Sequence, residues 1–265
     1  YSVSNNSNLY GNISQAYRPF LYANITPATQ VDQIDPSLKD SRGYDIDAGW
    51  RGHYKDVIRY DVSIFYLYYG DRVGLLTQKK NDGTTYLLTT NTGNSISKGI
   101  EAYAELSVLR ILQQAGTGKQ FDVRLFSSLA YDHARYVTGV TNKSGTNVSV
   151  AGNQVENAPD WIEKAGLRFQ YRAFSTSLQY SYTSTSYNDA LNTTGSSNGV
   201  TGILPAWHVW DWLFDYRVAR IYHVSGGVNN LTNVQYFNRR ITMYPGPGIL
   251  PADGRTFYIS FGIKI

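Results

Sequence analysis

The strongest constraint on this chain is a period of two in its hydrophobic pattern. From Ile58 to Tyr68 the even positions are Ile58, Tyr60, Val62, Ile64, Tyr66 and Tyr68, whereas the odd positions include Arg59, Asp61 and Ser63. Successive side chains of a strand point to opposite faces, so such a run makes a sheet with one apolar and one polar side. The pattern recurs over Ile100–Val108, Phe121–Tyr131, Ala165–Arg172, Val209–Val218 and Phe257–Ile265. It predicts ten main strands, near 8–17, 43–52, 57–68, 97–112, 120–136, 161–172, 174–186, 206–220, 222–237 and 255–265. Several exceed the ~5–6 residues of a soluble strand and reach the ~9–11 that a tilted strand needs to cross a bilayer.

The connections alternate in length. Short ones lie near His53–Lys55, Ala115–Lys119, Ala173 and Arg220–Ile221, and long ones near 19–42, 69–96, 138–160, 188–205 and 238–254. Short turns on one side and long polar loops on the other is the plan of an outer-membrane β-barrel. Within 69–96 the pieces Val73–Thr77 and Thr85–Thr89 suggest a hairpin projecting beyond the membrane. Composition agrees. The chain has 23 Tyr, 10 Phe and 5 Trp, yet its mean hydropathy is −0.35. Aromatic girdles with a polar interior reconcile those values. A soluble sandwich also alternates, but with shorter strands and no two-sided difference in its connections. No apolar run approaches the ~18 residues of a transmembrane helix. Without Cys there is no disulfide framework or thiolate metal site. The net charge of +4 is spread along the chain and marks no nucleic-acid surface.

Particular residues carry a family resemblance. The last sixty residues contain "PAWHVWDWLFDYRV", "YHVSGGVNNLTNVQYFNRR" and "DGRTFYISFGIKI". They follow a closing pattern N-L-x-[ND]-x-x-Y, a loop, then G-R-x-[FY], carried by Asn230, Leu231, Asn233, Tyr236, Gly254, Arg255 and Phe257. Upstream, "NTGNSISKGIEAYAEL" is similar to an N-x-G-x-x-x-x-x-G-[IV]-E element at Asn91, Gly93, Gly99, Ile100 and Glu101. The chain resembles the C-terminal half of the β-barrel of TonB-dependent outer-membrane receptors. "NISQAYRPFLYANITP" is most similar to the ferric-dicitrate branch.

The resemblance implies an all-β transmembrane antiparallel barrel in the bacterial outer membrane, with these ten strands as the last ten of 22 and no plug domain within residues 1–265. Residue 1 is Tyr, which fits a processed or partial receptor. With the last strand ending on the periplasmic side, every long loop is extracellular; its final residue, Ile265, departs from the usual aromatic end. Alone, such a wall would have two open edges, which lipid does not tolerate. The implied activity is transport of an Fe(III) chelate, ferric citrate or a siderophore. The implied partners are outer-membrane lipid and lipopolysaccharide, and the TonB–ExbB–ExbD complex acting through an N-terminal part. No cofactor is expected.

Catalytic patterns are missing. His53, His133, His208 and His223 have no metal-binding spacing, and adjacent Asp132 and His133 point to opposite faces. An anionic chelate favours Arg, whose fork matches a carboxylate. The candidate ligand contacts are therefore Arg18, Arg72, Arg239, Arg240 and Tyr244, with Tyr22 and Tyr187 as further loop aromatics. Asn91, Gly93 and Gly99 read as structural, and Glu101 as a partner for a lumen Arg or a plug. Pro245–Gly248 reads as a stiff turn. Competing readings are a TonB-dependent glycan importer, a self-contained ten-strand barrel enzyme and a soluble β-rich binding module.

Overall fold

A computed structural model describes residues 1–19, 21–22, 26, 31–112, 121–197, 199–218, 221–241 and 247–263. Its centre is one antiparallel sheet in which ten long strands lie in sequence order. They are Ser7–Arg18, Ser41–Tyr54, Ile58–Lys79, Thr85–Ser107, Phe121–Asp132, Trp161–Tyr171, Phe174–Thr183, Trp207–Val218, Tyr222–Asn229 and Thr256–Ile263.

The register shows why alternation in each strand becomes two faces of one wall. Tyr54, Ile58, Leu106, Leu125, Leu167, Leu178, Trp212, Val228 and Phe257 pair in turn, giving an apolar row across nine strands. On the opposite face Arg51, Asp61, Tyr103, Ser128, Lys164, Ser181 and Val209 form a mostly polar row. A one-residue slip anywhere would turn one strand's apolar set inward.

The apolar face is uncovered. Ile13 is 79% exposed, Phe257 73% and Phe261 72%. The accessible surface is 17174 Å², against about 11,600 Å² for a compact protein of this mass. That excess belongs to a single-layer wall with no second sheet or helix packed on it. Two aromatic borders bound the apolar band. On neighbouring strands Tyr131 pairs with Trp161 and Phe121 with Tyr171, and the ring centroids of Tyr131 and Trp161 are 4.6 Å apart. The ten residue steps from one border to the other span about 33 Å along the strand, or about 25 Å of height at the usual tilt of ~40°. That height matches the lipid-facing band of an outer-membrane barrel.

Some aromatics turn inward rather than toward the lipid-facing side. Tyr10, Phe65 and Phe126 lie on the polar face, each covering a glycine on the next strand. A Cβ on Gly49 would lie 2.4 Å from the Tyr10 ring, and one on Gly166 2.5 Å from that of Phe126. A Cβ on Gly99 would lie 1.8 Å from the Tyr131 carbonyl and 2.8 Å from Phe65. The glycines leave room for rings that brace the wall from inside.

Other differences lie at the strand ends, most of them at the long-loop end. The 69–96 region is not a separate loop: the third and fourth strands continue to Lys79 and from Thr85, as a projecting hairpin. Their register shifts between Tyr69 and Val73, where Asp71 has φ 55°. The strand expected at 97–112 ends at Ser107, and the helix Val108–Leu112 follows. The one expected at 120–136 ends at Asp132, and a second strand, Arg135–Lys143, pairs with Gly93–Ile96. The strand at 222–237 stops at Asn229 because Asn230 turns the chain at φ 50°. The Ala115–Lys119 turn lies outside the described residues, as do Pro245 and Gly246.

Among the described residues the sheet is open. Beyond the first strand lies only Ser2–Ser4, and the last pairs only with the strand before it. The described residues therefore form no closed ten-strand barrel.

Candidate functional site

The long connections at one end of the wall pack into a rim. Four of the six buried hydrophobic residues are there: Ala134, Tyr136, Val150 and Leu204. At the near side, Asn91 closes the 31–40 segment onto the projecting hairpin. Its side chain accepts from the Lys39 amide at 2.8 Å and donates to the Lys39 and Asp71 carbonyls at 2.9 and 2.7 Å. Asp35 accepts from the Ser37 hydroxyl at 2.6 Å and from Thr90 at 2.6 Å, and these bonds hold its carboxyl below the usual carboxylate range.

Arg72 ties that hairpin to the next loop. It donates to Glu156 at 2.8 Å and to Ser95 at 3.3 Å, between the rings of Tyr69 and Tyr136 at 4.9 and 5.1 Å. Tyr136 donates to Glu156 at 2.7 Å. Burial first, then this carboxylate, raises the phenol above its ordinary range. Arg135 grips Asp160 through two bonds of 2.9 and 3.0 Å. Farther round, Asn192 and Gln154 exchange bonds of 2.7 and 2.8 Å between two loops. Arg240 reaches the Gly199 carbonyl at 2.6 Å and that of Ile203 at 2.9 and 3.1 Å.

The expected ligand arginines thus divide. Arg72 and Arg240 are committed to holding loops together. Arg18 and Arg239 are exposed, and their side chains make no hydrogen bond or ion pair to the described residues. Tyr244 lies outside the described residues. Tyr22 is exposed, and the Tyr187 carbonyl accepts from the Asn157 amide at 2.7 Å.

The motif residues form a corner that launches the last loop. The Asn230 side chain accepts from the Val234 amide at 2.8 Å and donates to the Val234 carbonyl at 2.8 Å and that of Asp253 at 3.3 Å. The Leu231 amide reaches the Trp210 carbonyl at 2.6 Å. Asn233 accepts from the Arg255 amide at 3.0 Å, and its Oδ1 would lie 3.1 Å from a Cβ at Gly254, a tight contact. Tyr236 stacks on Trp207 at 4.6 Å. Gly93 is a close crossing, where a Cβ would meet the Thr138 carbonyl at 2.3 Å. Glu101 lies on the inner wall and has no cationic partner among the described residues.

No cluster of three or more His, Asp or Glu side chains that could hold a metal occurs among the described residues. One contact had not been anticipated: His223 meets Asp215 on the inner face at the short-turn end. Both lie on the polar face of a hairpin, two positions out of register, a relation the alternation contains once the turn is placed.

A one-layer wall with an apolar band, aromatic borders and a braced polar interior defines a membrane β-barrel segment. The chain belongs to the TonB-dependent receptor β-barrels: residues 1–231 match the family described as TonB dependent receptor-like, beta-barrel. This is a family of bacterial outer-membrane receptors and transporters, not enzymes. The fold is similar to the ferric citrate transporter FecA in its unliganded form, with TM-score 0.73, 20% identity and coverage of 99% of this chain and 36% of that one. It is also similar to the siderophore receptor PiuA from Acinetobacter baumannii, with TM-score 0.70, 15% identity and coverage of 99% and 34%. A third similar structure is the copper transporter OprC, with TM-score 0.68, 16% identity and coverage of 99% and 38%. The chain spans a little over a third of the length of these structures. No curated protein sequence matches it.

Proposed function

We propose that the receptor containing this wall imports an anionic Fe(III) chelate, ferric citrate being the first candidate, and that the rim takes part in its capture. The observation that carries the reading is the division of rim arginines: some fasten the loops, while the side chains of Arg18 and Arg239 bond to none of the described residues. Such guanidinium groups suit the carboxylates of a citrate-type chelate. The similar structures include carriers of iron chelates and of copper. In this reading the long loops face outward toward lipopolysaccharide, and the short turns face the periplasm. TonB–ExbB–ExbD supplies energy through an N-terminal part of the receptor that precedes this wall.

The test is growth under iron limitation with single iron sources. Deleting the gene is expected to abolish growth on ferric citrate and spare growth on haem. R18A and R239A in the full-length receptor are expected to weaken ferric citrate binding. Unchanged growth of the deletion strain on ferric citrate sinks the assignment.

A further inference from the structure

Among the described residues, eight non-glycine residues have positive φ. Six are Asp71, Ser144, Asn157, Asn192, Asn230 and Asn233, short polar types that tolerate this conformation or bond to their own backbone. The other two are Lys55 at φ 50° and Arg172 at φ 51°. Long side chains gain nothing from a left-handed backbone, which costs about 1–2 kcal/mol for an L-residue. Glycine would fit both positions without that cost.

The two exceptions share everything else. Each opens a short turn at the same end of the wall, after Tyr54 and after Tyr171. Each places its cation over the tyrosine just before it, Lys55 Nζ at 5.2 Å and Arg172 Cζ at 5.3 Å from the ring centroid. Those rings face outward, Tyr54 61% and Tyr171 45% exposed, at the border of the apolar band. Each cation thus lies beside an outward-facing ring, at the height where a bilayer changes from hydrocarbon to headgroup.

We propose that these two turns are phospholipid-binding sites. In each, the tyrosine ring packs on the glycerol and upper acyl region, and the Lys55 ammonium or Arg172 guanidinium binds the headgroup phosphate. The occupant is a phospholipid of the leaflet on the short-turn side. A cation is chosen over glycine because a side chain that spans ring and phosphate offsets the cost of the backbone. The proposal concerns contacts with lipid and is independent of the imported ligand.

The experiment compares the full-length receptor with K55G, R172G and the double variant, after extraction into mild detergent. Bound phosphatidylglycerol and phosphatidylethanolamine are counted by native mass spectrometry, and thermal unfolding is followed in parallel. Each substitution is expected to lower phospholipid retention about fivefold, with unchanged or higher thermal stability because the strained φ is relieved. K55R and R172K are expected to retain lipid. Unchanged retention in the double variant would overturn the proposal. So would a loss of stability in K55G or R172G with retention intact, which would make the cations structural. Displacement of the lipid by excess inorganic phosphate would also overturn it, by showing a simple anion site.

Discussion

The wall and the rim are held by different physics. The wall has backbone ladders, an apolar face left for lipid, and an inner face braced by rings lying over glycines. Among the described residues the rim holds four of the six buried apolar residues, together with the ion pairs Arg72–Glu156 and Arg135–Asp160. Regular structure is therefore the exposed part, and the loops are the packed part. A soluble protein has the opposite arrangement. In lipid a wall needs no core, because the bilayer replaces it. Loops that stand in water must make their own.

This contrast predicts that damage to the wall is global and damage to the rim local. The largest effect is expected from Gly99→Val, which drives a side chain into the Tyr131 carbonyl and the Phe65 ring. The cost should be about 3 kcal/mol or more, and the full-length receptor should lose its heat-modifiable folded band on gels. Arg72→Ala removes a partly buried charged bond and two ring contacts, about 2 kcal/mol within the rim. Hydrogen exchange should then quicken at least tenfold over 135–160 and remain unchanged in the wall. Arg240→Ala should cost about 1–2 kcal/mol and loosen only 199–204 and 237–251.

The smallest effect concerns pH. The Asp35 carboxylate is stabilised in the folded state, so its contribution is complete above the ordinary value of 3.8 and is lost as pH falls through the lower folded value. Exchange in the 31–40 segment should rise only below about pH 3.8, and D35N should abolish that pH dependence.

The wall was legible in the sequence because its rule is local. A period of two needs no knowledge of the partner strand, and six clearly alternating runs anchor the reading of ten strands. The rim was not, because its contacts join residues far apart. Nothing in the pattern at Arg72 announces Glu156, 84 residues later. The sequence places Arg240 in a loop beside Arg239 but gives no sign of the Gly199 and Ile203 carbonyls, some 40 residues earlier, that its guanidinium meets. In the short motifs part of the signal is local: Asn230 and Asn233 take positive φ and the Asn230 side chain accepts from the Val234 amide, whereas Asn233 accepts from the Arg255 amide, 22 residues away. The inward rings of Phe65 and Phe126 broke the simple rule of apolar outside, and their cause was a glycine on the neighbouring strand.

The most direct test of the central claim uses the lack of Cys in this sequence. Single cysteines placed in the full-length receptor at Arg124, Leu125, Phe126, Leu167, Arg168, Leu178 and Gln179 can carry spin labels, with accessibility read by oxygen in the bilayer and a nickel chelate in water. The expected result is that Leu125, Leu167 and Leu178 report lipid together, as one row, while Arg124, Phe126, Arg168 and Gln179 do not. Loss of the alternation, or lipid contact at Phe126 equal to that at Leu125, would contradict the single-layer membrane wall.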